Sequence, residues 1–289
     1  MLFLALFFLL CSVIAFSQNK KAVREKRAFF RDFFYSGSTK QKDFNEILPF
    51  TNNYGWAVLK VNIKGKAYHF IFDTGAPTSI SEDLVKELNL KPLTSINLED
   101  ALGKSISKNV YRMNSISLGN ITFLNEGCVG FDFSELSMAS CIKIDGIIGS
   151  NLMKKCYWQI NYQDNSIGLS SSLPEIPTNA QKLSFKEAEE GAIPVLELTI
   201  ADTTVFALLD YGSNGVSTIP KAVFFRNKSK EDNVASGKGA ALTAMNQKLE
   251  SKMYRVFSNT FKLGNVTFNH QLFDILPNDA PPPLLVLHF

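Results

Sequence analysis

Histidine is scarce in this sequence. The three residues His69, His270 and His288 are scattered, with no spacing that would gather a metal ion. No Gly-x-Ser-x-Gly elbow occurs, which removes the commonest serine-hydrolase signature. Gly103-Lys104-Ser105 lacks the earlier glycine of a phosphate-binding loop. The four cysteines form no Cys-x-x-Cys pair. An excess of one charge is missing too. Thirty basic residues face 27 acidic ones, and a net charge of +3 is too weak to make nucleic acid or a membrane surface the main partner. With 45% apolar and 20% charged residues the composition is that of a globular protein, and collagen-like, coiled-coil and wholly disordered chains are excluded. A length of 289 residues admits one large domain or two lobes.

Long apolar runs are absent after the first residues. Residues 2–16 are almost wholly apolar, too short for a comfortable span of ~20 residues, and Ala15-Phe16-Ser17 fits a small-x-small cleavage site. Residues 1–17 are therefore expected to be a signal peptide that touches the membrane only transiently, and the mature chain to be exported, periplasmic or secreted. The alternative is an uncleaved membrane anchor, since nothing basic precedes the run. Cys11 follows Leu10 where a lipid-attachment site wants a small residue, which disfavours a lipoprotein. Residues 18–31 then carry Lys20, Lys21, Arg24, Lys26, Arg27 and Arg31 against Glu25. Residues 18–50 mix this basic run with Phe29, Phe30, Phe33 and Phe34, and suit either a short helix docked on the body or a propeptide. Export leaves Cys128, Cys141 and Cys156, an odd number, with Cys128–Cys141 the nearest candidate bridge and three free thiols the alternative.

The body alternates in strand fashion, with turn signals every eight to twelve residues. Val58–Ile63 alternates, Gly65-Lys66 turns, and Ala67–Phe72 runs apolar into Asp73-Thr74-Gly75. Val195–Ile200, Ala201–Thr203 and Val205–Leu209 repeat that order into Asp210-Tyr211-Gly212. Leu118-Gly119-Asn120-Ile121-Thr122-Phe123 likewise matches Leu263-Gly264-Asn265-Val266-Thr267-Phe268. Two ordered matches point to an internal repeat. The expected organisation is a first lobe over 51–169, a linker over 170–192 and a second lobe over 193–289. Helix signals are few. Ser79-Ile80-Ser81-Glu82 has capping-box spacing, and Leu84, Val85 and Leu88 share a face, predicting a short helix at about 82–89.

The chemistry-bearing string is Phe70-Ile71-Phe72-Asp73-Thr74-Gly75-Ala76: a carboxylate at the end of an apolar strand, a small hydroxyl residue, then a glycine that permits a tight loop. Downstream lies Ile144-Asp145-Gly146-Ile147-Ile148-Gly149. Together these resemble the aspartic protease superfamily, its retropepsin-like and pepsin-like lobes, where a hydrophobic-hydrophobic-Asp-Thr/Ser-Gly loop rests on a hydrophobic-hydrophobic-Gly segment. The resemblance is specific over 58–169 and degenerate over 195–289. It implies an all-β fold of two pseudo-symmetric β-barrel lobes. It also implies an aspartic endopeptidase that activates water between Asp73 and Asp210, without metal or cofactor, on peptide or protein substrates. Thr74, Gly75, Ala76, Tyr211, Gly212 and Ser213 would form the loops, and Ile147, Ile148 and Gly149 would support the first. An Asp-Thr-Gly-Ala loop also suits actin-like nucleotide folds. That reading needs nucleotide in the export compartment and leaves the repeat unexplained.

The second lobe departs from the pattern. Tyr211 stands where Thr or Ser is expected; its phenol is too long for the same cross-lobe hydrogen bond, and its bulk is expected to push the loops apart. Counting from the first lobe puts the equivalent of Asp145–Gly149 at position 290, so the second lobe is expected to be incomplete and to lack the segment beneath Asp210. A catalytically impaired, peptide-binding or scaffold protein is therefore the alternative function, and a homodimer of first lobes an alternative assembly. Ser213 against Ala76 suggests Asp210 as the base and Asp73 as the proton carrier. Leu98–Tyr111 and Val234–Leu242 are the candidate flap hairpins. Tyr54, Trp56 and Trp158 read as core or rim aromatics.

Overall fold

The computed structural model describes residues 3–4, 25, 28–29, 31–99, 105–178, 180, 182–187, 193–200, 203–213, 217–220, 233–242, 248–263, 266–276 and 285–287, and strands dominate them. The expected signal-peptide cleavage site, Gly103, Pro281–Leu284 and His288-Phe289 lie outside the described residues. Among the described residues, no helix is long and apolar enough to cross a membrane.

The first barrel starts with a hairpin. Trp56–Ile63 and Lys66–Phe72 pair antiparallel around Lys64-Gly65, whose φ values of 51° and 81° are those a two-residue type I′ turn demands. The turn thus falls one residue earlier than expected, and the Gly65 amide donates to Asn62 Oδ1 at 2.9 Å. Gly146–Ile148 lies parallel beside Lys66–Phe72 and antiparallel to Ser79–Ser81. Ser79–Ser81 pairs with Ile121–Phe131, which pairs with Ser105–Leu118, and that strand meets Trp56–Ile63 at Asn62. Six strands close a ring, so no edge remains around the Asp73 loop. Strand alternation splits the core in two. Ile71 packs with Trp56, Val58, Ala76 and Ile147 on one side, while Phe70 and Phe72 pack with Leu59, Phe123 and Ile148 on the other.

The second barrel pairs in the same order. Pro194–Ile200 and Thr203–Leu209 form the hairpin; Leu285–Leu287 lies parallel to Thr203–Leu209, with Ala207, Leu208 and Leu209 opposite Leu285, Val286 and Leu287. Thr218–Pro220, Val266–Leu276 and Lys248–Leu263 complete the ring at Thr199 and Lys262. Leu285–Leu287 takes the position beside Thr203–Leu209 that Gly146–Ile148 holds beside Lys66–Phe72, earlier in the chain than the count from the first lobe places it. The count misled because the connection is shorter: residues 277–284 join the last two strands here, against residues 132–145 in the first barrel, which include the Ser134–Ser140 helix.

Other local expectations shift. The predicted short helix runs over Glu82–Glu87, but its cap is Ser81, whose hydroxyl accepts the Leu84 amide at 3.1 Å. Ser79 instead donates to the Pro77 carbonyl at 2.9 Å. Residues 31–34 are helical and dock on the first barrel: Phe33 and Phe34 are buried, Arg112 stacks on the Phe33 ring, and Phe29 stacks on Phe33. Within the expected linker, Phe185–Glu187 pairs with Pro194–Leu196 at the sheet edge. At the opposite edge Phe3–Leu4 runs parallel to Asn233–Leu242. Thr94–Glu99 and Ser105–Leu118 make the first flap candidate, and Asn233–Leu242 with Lys248–Leu263 the second. Cys128, Cys141 and Cys156 are free thiols, buried, exposed and half-buried in turn, so the Cys128–Cys141 bridge does not form.

Glu126 is buried under the docked N-terminal segment, and among the described residues neither carboxylate oxygen has a hydrogen-bond partner. Its cationic neighbours bond elsewhere: Lys155 donates to the Tyr35 carbonyl at 2.7 Å, and Arg112 to the carbonyls of Phe33 and Asn125 and to Ser36 Oγ at 2.6 Å. Burial pushes the Glu126 carboxyl up to about 7, opposed by the charges of Lys155 and Arg112. A pKa raised on folding means that the folded state holds the proton more tightly. The contribution to stability is greatest below the unfolded value near 4 and is lost as pH rises through 7. Glu126→Gln is therefore expected to stabilise the protein at pH 8 by about 1–3 kcal/mol and to change little at pH 4, as read by urea denaturation at both pH values.

Candidate active site

Two loops meet where the barrels touch. Asp73 ends the Lys66–Phe72 strand, and its amide donates to the Ile148 carbonyl at 3.0 Å, so the parallel Gly146–Ile148 strand fixes where the loop begins. Ala76 closes the loop: its carbonyl accepts the Ser150 amide at 2.9 Å and the Ser150 hydroxyl at 3.2 Å. The Gly149 amide donates to Thr78 Oγ1 at 3.2 Å. Ile147, Ile148 and Gly149 thus lie beneath the Asp73 loop. Asp210 follows the Thr203–Leu209 strand in the same way.

The loops engage across the interface mainly through one hydroxyl. Thr74 Oγ1 donates to the Leu209 carbonyl at 2.6 Å and accepts the Tyr211 amide at 3.1 Å. Trp56 adds a third bond, its indole N–H donating to the Gly212 carbonyl at 2.7 Å. Glycine is required on both sides because the approach is so close. A Cβ on Gly75 would stand 2.7 Å from Asp210 Cγ, and one on Gly212 would collide with the Asp73 carboxylate. The expectation that Tyr211 forces the loops apart is not met. Its backbone does what any residue's could, and its ring turns aside against Phe72 and Tyr162.

Asp73 and Asp210 are both fully buried. One oxygen of each is held by its own loop: Gly75 N–H reaches Asp73 Oδ1 at 2.7 Å, and Gly212 and Ser213 N–H reach Asp210 Oδ1 at 2.8 and 3.1 Å. The Oδ2 atoms receive no donor from the described residues beyond what the pair shares between its own carboxyls. Burial pushes Asp73 up to about 6, against the bond from Asp210 and the amides of Gly75, Gly212 and Ala76, which pull it down. Asp210 is also pushed well up, first by burial, then by the charge of Asp73. Two carboxyls in this relation hold one proton between them and titrate as a unit. Among the described residues the Ser213 hydroxyl has no partner, and only its amide reaches Asp210.

Sequence reading missed three contributors. Trp56, which reads from sequence as a core or rim aromatic, is buried and also bonds the opposite loop. Asn151 is fully buried, accepts the Thr78 amide at 2.6 Å and donates to the Gly127 carbonyl at 3.1 Å, tying the loop's exit to the barrel. A polar residue two places after Gly149 was the available signal. Asp145 Oδ2 accepts the His69 amide at 3.0 Å, which anchors the supporting strand; His69 itself is exposed. Among the described residues no cluster of His, Cys, Asp or Glu could hold a metal ion.

Residues 59–152 match the aspartyl protease family. The match contains Asp73–Ala76 and Ile147–Gly149 and stops short of Asp210. No curated protein matches the chain. Among solved structures, a retropepsin-like aspartic protease from Rickettsia conorii is similar at 16% identity over 46% of this chain and 93% of its own, with a TM-score of 0.32.

Thr74→Val keeps the shape of the side chain but leaves the Leu209 carbonyl and Tyr211 amide without their shared partner. It is expected to lower stability by about 1–2 kcal/mol in urea denaturation. Thr74→Ser, which restores the hydroxyl, should recover most of the loss.

Proposed function

With residues 59–152 assigned to the aspartyl protease family, we propose that this chain is a single-chain aspartic endopeptidase whose lobes, 51–169 and 193–289 about the 170–192 linker, each supply one aspartate. The observation that carries the reading is the buried Asp73/Asp210 pair, each with one oxygen bound to loop amides and the other free for the pair. A water between the carboxyls would be deprotonated by the ionised member of the pair as it attacks the peptide carbonyl, while the proton on the other polarises the carbonyl oxygen. The gem-diol then collapses as the amine leaves with a proton returned through the pair.

Both aspartates come from one chain, so this reading needs no second copy. The intact contacts between the loops and the strand at Leu285–Leu287 favour an enzyme over an impaired peptide-binding protein. The apolar run at 2–16 supports an exported, periplasmic or secreted protein with peptide or protein substrates there, without nucleic acid or cofactor.

The test is cleavage of a mixed peptide library by the purified chain across pH, beside Asp73→Asn and Asp210→Asn. Activity is expected from the wild type and from neither variant. The active form carries one proton on the pair. The rate should therefore rise as the pair loses its first proton and fall at higher pH as it loses the second, with the fall displaced above the ordinary carboxylate range because burial raises both groups. A folded wild type that cleaves nothing at any pH would sink the enzyme reading.

A further inference from the structure

Thr74 and Tyr211 hold the same place in the two loops, and each engages the residue before the opposite aspartate. Thr74 does so by its hydroxyl, on the carbonyl of Leu209. Tyr211 does so by its ring, edge-on to Phe72 with centroids 5.9 Å apart at 67°. The same ring lies nearly parallel to Tyr162, at 6.4 Å and 11°, and Tyr162 meets Phe50 edge-on at 5.3 Å. Phe50, Phe72 and Tyr162 all belong to the first lobe's apolar core or pack on it, and Tyr211 is packed against that core as well. A side chain of the second lobe is thus built into the first.

We propose that Tyr211 is a positioning residue: its ring, seated against Phe72 and Tyr162, is the second lobe's half of the latch that sets the spacing of Asp73 and Asp210. Both hydrogen bonds made by Thr74 pass through one oxygen, and contacts through one atom act as a pivot. They fix a distance and leave the lobes free to rock about it. Trp56 and Tyr211 stop that rocking from opposite sides. Trp56 rises from the core cluster that holds Ile71 and bonds Gly212, and Tyr211 enters the cluster that holds Phe72. Ile71 and Phe72 point to opposite faces of their strand, so the two contacts flank Thr74. A threonine at 211 would reach no part of the socket. The ring matters here and the hydroxyl does not.

The kinetic consequence rests on the aspartic-protease reading; the geometric one does not, so two readouts are needed. The first is the titration of the Asp73 and Asp210 carboxyls by NMR on aspartate-labelled protein, which requires no substrate. Carboxyls held close split their two apparent pKa values, and carboxyls allowed to drift bring them together. Tyr211→Thr is expected to narrow the splitting by about one unit or more, and Tyr211→Phe to leave it as in the wild type. A mere loss of folded fraction would not move it. The second readout is peptide cleavage: Tyr211→Thr should lose about 100-fold in kcat with KM little changed, and Tyr211→Phe should recover it. Should Tyr211→Thr not fold, Tyr162→Leu removes one wall of the socket from outside the loops and should narrow the splitting in the same direction. An unchanged splitting in a folded Tyr211→Thr, or in Tyr162→Leu when it stands in, overturns the proposal, as does Tyr211→Phe behaving like Tyr211→Thr. A narrowed splitting in a protein that cleaves no peptide would support it and count against the enzyme reading alone.

Discussion

Two carboxyls buried side by side are the constraint that organises this molecule. Burial raises both, and the charge of Asp73 raises Asp210 further, while the bond from Asp210 pulls Asp73 down. Such an arrangement does not form by default. It must be imposed by contacts that would be lost if the carboxyls separated. The imposing contacts are few: one threonine hydroxyl, one indole N–H, one tyrosine ring and two glycines without room for a side chain. Each lobe brings its aspartate to the interface on a strand flanked by a parallel partner. That is why Gly146–Ile148 and Leu285–Leu287 matter as much as the loops themselves.

The same constraint explains why the lobes can differ so much elsewhere. In the first barrel Val110 faces Val129 beside Ser79. At the matching positions of the second, Arg255 faces Asp274 beside Thr218, and Arg255 grips the buried Asp274 carboxylate with two bonds of 2.7 and 2.9 Å. An apolar pair and a bidentate ion pair fill one topological place. The pair leaves no buried charge uncompensated, so the exchange is tolerable, and removing either partner alone would not be. Thr218 and Ser213, both buried with unpartnered hydroxyls, extend this polar character toward the Asp210 loop.

Much of this was legible in the chain, and the limits are instructive. Strand alternation running into Asp73-Thr74-Gly75, and again into Asp210-Tyr211-Gly212, located both loops and the hairpins that deliver them. What the sequence could not supply was depth. Trp56 and Trp158 look alike as isolated aromatics, yet only the first reaches the opposite loop. Counting residues put the second supporting strand beyond the end of the chain because it assumed equal connections. Pairing depends on which apolar triplet can lie beside Thr203–Leu209, and Leu285-Val286-Leu287 satisfies that without a following glycine pair. Ser213 misled in another way: residue type gave a hydroxyl the chance to bond Asp210, whereas its rotamer left only the backbone to do so.

The asymmetry of the latch bears on how the chain assembles. A homodimer of first lobes would set Thr74 against Thr74, and each hydroxyl would find the opposite loop's backbone, so hydrogen bonding alone would permit it. Packing argues otherwise. Two first lobes would carry two sockets of Phe50, Phe72 and Tyr162 and no Tyr211 ring to fill either, leaving apolar surface at the heart of the interface. Filling that socket takes a lobe with an aromatic residue after its aspartate, and the second lobe is the one that has it. Conversely, the second lobe has Ile193 where the offset between Asp73 and Asp210 places the counterpart of Trp56, so it cannot donate to the opposite loop. Each half is missing what the other provides. Their complementarity, rather than their likeness, holds the two aspartates together.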